Sequence, residues 1–202
     1  MTRTGEAWLA LRAPRTVHAT TGLPLLLGLA KMQPHGCSLT DPSTQADPMP
    51  PTQTRTDRIE KKILLRAPRE RVWRALTDAA EFGAWFRVKL EGAFEAGKHV
   101  RGRVTYPGYE HLTFDVLVEC IEPERLFSFR WHPAAVEPAV DYSKEPTTLV
   151  EFRLEEAKDG TWLTVVESGF DKLPAARRDE AFRMNSGGWS TQMENVRQHV
   201  GG

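Results

Sequence analysis

Cysteine is scarce in this chain. The 202 residues hold two, Cys37 and Cys120. Two thiols do not build the disulfide framework of a small secreted domain, and they cannot supply the four ligands of an iron–sulfur cluster. A reducing, cytoplasmic home is the expectation that follows. Long hydrophobic runs are also missing. A helical membrane span needs about 20 apolar residues, and the nearest approach, Leu23 to Ala30, is interrupted by Pro24 and Gly28. With Arg3, Arg12 and Arg15 upstream that run looks like the apolar region of a signal peptide. Glu6, the long polar lead and the lack of a small-x-small cleavage site speak against one. Net charge is absent too: 27 basic side chains balance 27 acidic ones. With no Lys/Arg run of polybasic length, nothing pulls the chain toward nucleic acid or an anionic membrane.

The motifs of common chemistries are equally lacking. No Gly-x-Gly-x-x-Gly follows a strand pattern to hold a dinucleotide, and no Gly-x-Ser-x-Gly presents a nucleophile. His99, His111 and His132 lack metal-ligand spacing, and no cysteine joins them. No cofactor and no metal are expected.

What is present divides in two. The first 56 residues carry seven of the fourteen prolines, a density that blocks helix interiors and strand ladders. Gln33 to Thr56 is rich in Pro, Ser, Thr, Gln and Asp and reads as unstructured. Residues 1–56 are therefore expected to be a disordered extension, with Met49 as an alternative start. Residues 57–202 are expected to form one domain. Its pattern opens with Ile59, Lys61, Ile63 and Leu65 alternating with Glu60, Lys62, Leu64 and Arg66, a strand with one mostly apolar face. Ala67-Pro68 ends that strand. Two short helices follow, Glu70 to Thr77 and Asp78 to Trp85, the second capped by Asp78. Strand alternation then runs through Phe86–Leu90, Val100–Tyr106, Leu112–Cys120 and Phe127–Trp131. After a Pro-rich loop from His132 to Pro146 come Val150–Leu154 and Leu163–Glu167. The chain closes on a helix from Pro174 to His199, whose apolar stripe is Phe182, Trp189, Met193, Val196 and Val200. Gly187-Gly188 reads equally as part of this helix or as a loop before it. Polar opposite faces on the strands argue for an antiparallel sheet with one wet side, and the order gives an α+β class.

Several segments fall in a familiar order. They are Arg66-Ala67-Pro68 with Val72-Trp73, Trp85-Phe86, Pro123-Glu124-Arg125-Leu126 with Phe129-Arg130-Trp131, and Thr148-Leu149-Val150-Glu151-Phe152. Thr161-Trp162-Leu163-Thr164, Glu167-Ser168-Gly169-Phe170 and Gly188-Trp189 complete the set. Together they resemble the Activator of Hsp90 ATPase homologue-like family of the START/SRPBCC superfamily. The resemblance implies a helix-grip fold, in which six or seven antiparallel strands curve around the last helix and enclose an apolar cavity.

That implied cavity decides how the buried-face residues are read. The aromatics at apolar positions are core, and some are expected to line the cavity. The candidates are Trp85, Phe86, Val104, Phe114, Phe129, Trp131, Phe152, Glu167, Phe170, Trp189 and Met193. Glu167 falls on the apolar side if Leu163 and Val165 do, so it must be paired, hydrogen-bonded or protonated; the bland alternative is a wet residue at the cavity mouth. His132 precedes Pro133 and is placed at the rim. The leading expectation is non-catalytic binding of a small hydrophobic or amphipathic molecule in a cavity of at least a few hundred Å3. The second is a cyclase- or hydrolase-type enzyme using Glu167 or His132 as acid or base. The third is a co-chaperone-like interaction domain, suggested by the family name alone, with the outward Trp162 as its probe. A homodimer is left open.

Overall fold

The computed structural model describes residues 57–137 and 139–201. The expectations for residues 1–56, including the apolar run, the disorder and the Met49 start, lie outside the described residues. Arg58–Leu65 forms β1. Pro68, with φ of −59°, leads into α1, Arg69–Thr77, carrying Glu70 in its first turn and Arg74 in its last, each where the helix dipole favours it. Asp78 then caps α2, Ala79–Phe86, by accepting from the backbone N–H groups of Ala80 and Glu81 at 3.0 and 2.9 Å. The helix runs one residue further than the alternation suggests. Phe86 belongs to α2, and the strand starts after Arg87, whose left-handed φ of 64° turns the chain. Gly83 lets α2 press on that strand, because a Cβ there would sit 2.3 Å from the Val88 carbonyl oxygen.

The remaining strands are β2 (Val88–Leu90), β3 (His99–Val104), β4 (Thr113–Glu122), β5 (Leu126–Trp131), β6 (Thr148–Ala157) and β7 (Gly160–Ser168). They form one antiparallel sheet in the order β1-β7-β6-β5-β4-β3-β2. Every neighbour is consecutive in sequence except β1 and β7, so α1 and α2 carry the chain from one edge of the sheet to the other. Ala175–Gly201 forms α3, continuous through Gly187 and Gly188. This is the helix-grip α+β fold, with seven strands.

One expectation about β4 fails. The register shifts between Val118, opposite Phe129, and Cys120, opposite Ser128. A bulge of this kind inserts one residue and changes which side chains share a face. Cys120 therefore leaves the apolar face and lies beside Ser128. Cys37 lies outside the described residues.

The core sits between the concave sheet face and the three helices. Leu65, Val72, Leu76, Phe82, Phe127, Phe129, Phe152, Leu163, Phe170 and Trp189 are all buried in it. The helices are further tied through Glu81. It accepts from Arg71 at 2.6 Å, Arg74 at 2.7 Å and His199 Nε2 at 3.1 Å, joining α1, α2 and the end of α3. Among the described residues no helix is long and apolar enough to cross a membrane.

Candidate functional site

At one end of the sheet the core opens into a cavity of about 160 Å3. Its walls come from every layer: Phe86 and Arg87 at the end of α2, Val104 at the end of β3, Phe114 on β4, Trp131 and His132 at the end of β5, Ala134 to Val136 in the following loop, and Met184, Asn185 and Gln192 on α3. The loop wall is anchored from α3. Arg177 donates to the Pro133 carbonyl oxygen at 3.0 Å, pairs with Glu145 at 3.0 Å and stacks its guanidinium 4.4 Å over Tyr142. Asp115, at the outer rim, is held by His99 and Arg101 at 3.0 and 2.8 Å.

Behind the wall lies Glu167. Strict alternation along β7 turns Leu163, Val165 and Glu167 to the same side, and Glu167 pairs across the sheet with Val150 and Ile59. It is fully buried. Four side chains donate to it. Oε1 accepts from Trp131 Nε1 at 2.8 Å, Thr148 Oγ1 at 2.6 Å and Asn185 Nδ2 at 2.8 Å. Oε2 accepts from Asn185 Nδ2 at 3.0 Å and Trp189 Nε1 at 2.6 Å. Asn185 and Trp189, four residues apart, share one face of α3. Burial pushes the carboxyl above its ordinary range, and the hydrogen bonds from Thr148, Trp131, Trp189 and Asn185 pull against that push without cancelling it. The reading of Glu167 as a wet residue at the mouth does not describe this geometry.

The sequence candidates separate accordingly. Phe86, Val104, Phe114 and Trp131 border the cavity, as does His132. Trp85, Phe129, Phe152, Phe170, Trp189 and Met193 are buried in the aromatic interior instead. Trp85 spends its indole N–H on the Ala75 carbonyl at 2.8 Å, tying α2 to α1. The cavity is also smaller than the few hundred Å3 expected, because Phe127, Phe129 and Phe152 pack ring against ring with centroids 5.8 to 6.0 Å apart and fill the space beneath it. Missed from the sequence were Met184, Asn185 and Gln192. Asn185 lies between Phe182 and Trp189 at helical spacing, so a polar residue on an otherwise apolar stripe was the available signal. The loop residues Ala134 to Val136 carried none. Trp162 is half-buried, with Lys62 Nζ 5.1 Å from its ring centre.

Chemically, the arrangement offers an apolar chamber with a few polar edges. Asn185 and Trp131 connect it to a carboxylate that has no opening of its own. Among the described residues no group of His, Cys, Asp or Glu could hold a metal ion.

Known structures share this fold. Protein MLL2253 from Mesorhizobium loti is 23% identical, with a TM-score of 0.56 over 71% of this chain and 96% of its own. Protein NE0264 from Nitrosomonas europaea is 17% identical, with a TM-score of 0.58 over 75% of this chain and 97% of its own. The Aha1 dimer from Colwellia psychrerythraea is 17% identical, with a TM-score of 0.54 over 71% of this chain and 95% of its own. At such identities the likeness concerns the fold alone. No curated protein matches the chain. Residues 66–201 match the family described as Activator of Hsp90 ATPase homolog 1-like protein, and the chain belongs to that family.

Proposed function

We propose that this domain binds one small, largely apolar molecule in the cavity between α2, α3 and the β3–β5 end of the sheet. The observation that carries this reading is the chamber itself: about 160 Å3, walled by Phe86, Val104, Phe114, Trp131 and Met184, with the buried amide of Asn185 among them. Apolar walls with a few placed polar groups are how small-molecule sites are usually built. A dry cavity of about 150 Å3 holds one benzene-sized ring, so the bound molecule is of single-ring size in this conformation. Carrier, sensor and sequestering roles all share this step.

Two rivals have less support. Acid–base catalysis by Glu167 needs a carboxyl within reach of substrate, and here Trp131 and Asn185 stand between it and the cavity with their hydrogen bonds already made. His132 does reach the wall. A docking role for the outer sheet face calls for an exposed apolar patch. Among the described residues, Val140 is the large hydrophobic side chain that is exposed.

Native mass spectrometry of the full 202-residue chain, followed by denaturation, tests the binding role. A stoichiometric small molecule that leaves on denaturation is the expected result. An apo mass, combined with no thermal stabilisation by single-ring aromatics at millimolar concentration, overturns it.

A further inference from the structure

We propose that the cavity selects for single-ring molecules bearing a hydrogen-bond donor, a phenolic hydroxyl being the simplest, and that Glu167 sets this preference by fixing the orientation of the Asn185 amide. The proposal rests on the binding role argued above and specifies its chemistry.

Asn185 is 2% exposed and lies on the cavity wall. Its amide has one donor end and one acceptor end, and a half-turn about the last bond of the side chain exchanges them. Glu167 decides between the two. The amide nitrogen reaches both carboxyl oxygens, at 2.8 and 3.0 Å. An NH2 group suits both oxygens in either protonation state. A carbonyl oxygen would meet at best one proton and one repelling lone pair. Nor can the carboxyl turn away to accommodate the reverse orientation. Trp131 holds one of its oxygens and Trp189 the other with indole N–H groups, which donate and never accept.

With Nδ2 committed to Glu167, Oδ1 is the polar atom that Asn185 has left for the cavity, and it takes no hydrogen bond among the described residues. Oδ1 is not sealed off: it keeps its exposure toward the cavity. A ligand O–H or N–H that fills the cavity satisfies it, whereas a ligand that covers it with an ether or carbonyl oxygen leaves it buried without a partner, which is costly. Discrimination of this kind is strong where a site is built around one polar group. Glu167 is a positioning residue here: it meets the ligand only through Asn185.

The test compares phenol, toluene and anisole by calorimetry on the full chain, wild type and Glu167→Gln. In that variant the new side-chain amide can turn to donate to Asn185 Oδ1, which frees the Asn185 NH2 to face the cavity. In the wild type phenol should bind about tenfold more tightly than anisole, the worth of one hydrogen bond to a buried partner. In Glu167→Gln that ratio should fall below about threefold while toluene affinity holds. A purely structural role for Glu167 would weaken all three probes together. If the variant does not fold, the side-chain NH2 protons of Asn185 in the wild type decide: with phenol bound they should keep their nuclear Overhauser contacts to the Trp131 and Trp189 indole N–H protons, which share Glu167 with them. Equal binding of the three probes to the wild type, or loss of those contacts on phenol binding, overturns the proposal and leaves the binding role standing. No binding by any of the three overturns both.

Discussion

Two buried or half-buried carboxylates show how differently one fold uses the same side chain. Glu81 clamps the helices and is surrounded by positive partners, with Arg71, Arg74 and His199 converging on it at a half-buried surface. Burial works to raise its carboxyl, but the hydrogen bonds from His199 and Arg71 and the charges of Arg71 and Arg74 hold it below the ordinary 4.5. Glu167 sits beneath the cavity with no cation. Two indoles, a hydroxyl and an amide supply its hydrogen bonds, and burial raises it. Neutral donors solvate a carboxylate without cancelling its charge, so the fold bears a cost at Glu167 that it avoids at Glu81. Such local inconsistency concentrates at functional sites. The contrast marks Glu81 as a charge-paired helix tie and Glu167 as a carboxyl held beneath the cavity by neutral donors alone.

The sharpest way to break the contrast is to remove each carboxylate. Glu167→Ala strands Trp131, Thr148, Asn185 and Trp189 around a dry hole. An unsatisfied buried donor costs about 1–3 kcal/mol, and several together approach the whole stability of a domain, about 5–15 kcal/mol. The expected outcome is a loss of at least about 4 kcal/mol, read as a collapse of the denaturant midpoint. Glu167→Gln keeps the volume and one carbonyl oxygen but turns an NH2 toward one of the donors. A loss of about 2 kcal/mol is expected, with the unfolding slope unchanged. A variant as stable as the wild type would show that the four donors find other partners.

The pH response should separate the two residues by sign. The raised folded value of Glu167 means that, between the ordinary 4.5 and that raised value, the native state holds a proton that the unfolded chain has lost. Stability then falls as pH rises through the window. Wild type should gain stability over Glu167→Gln as the pH is lowered through it, with the gain complete below 4.5. The lowered value of Glu81 works in reverse: its contribution is present above 4.5 and is lost as pH falls through its folded value. Chemical denaturation at several pH values measures both slopes. A flat difference for the Glu167→Gln pair would place Glu167 in the same protonation state folded and unfolded.

The frame of this comparison was legible in the sequence, and the site only in part. Alternation in β7 placed Glu167 on the apolar side, because a strand's period is fixed by the backbone. The Asp78 cap and the break at Ala67-Pro68 located α1 and α2 for equally local reasons. Long-range geometry was not legible. Nothing in the sequence tells which aromatics border a cavity and which fill the floor beneath it. Phe86 and Phe152 carry the same pattern, yet one ends a helix at the cavity and the other packs on Phe127 and Phe129. The bulge that moves Cys120 off the apolar face is an insertion in pairing, visible only once β4 meets β5.

The smallest expected effect belongs to Glu81. Its partners stay partly in water, with side-chain exposure of 23% for Glu81 and 26% for Arg71, so solvent screens the pairs and ions compete for them. Glu81→Gln keeps an oxygen for Arg71 and removes the charge. The expected loss is below about 1 kcal/mol at low salt and shrinks further at about 1 M salt. The Glu167→Gln loss should barely respond to salt, since its donors are neutral and shielded from solvent. Parallel denaturant titrations of both variants at low and high salt check the pair. Equal salt sensitivity would dissolve the distinction, because it would mean that water and ions reach Glu167 as easily as they reach the helix clamp.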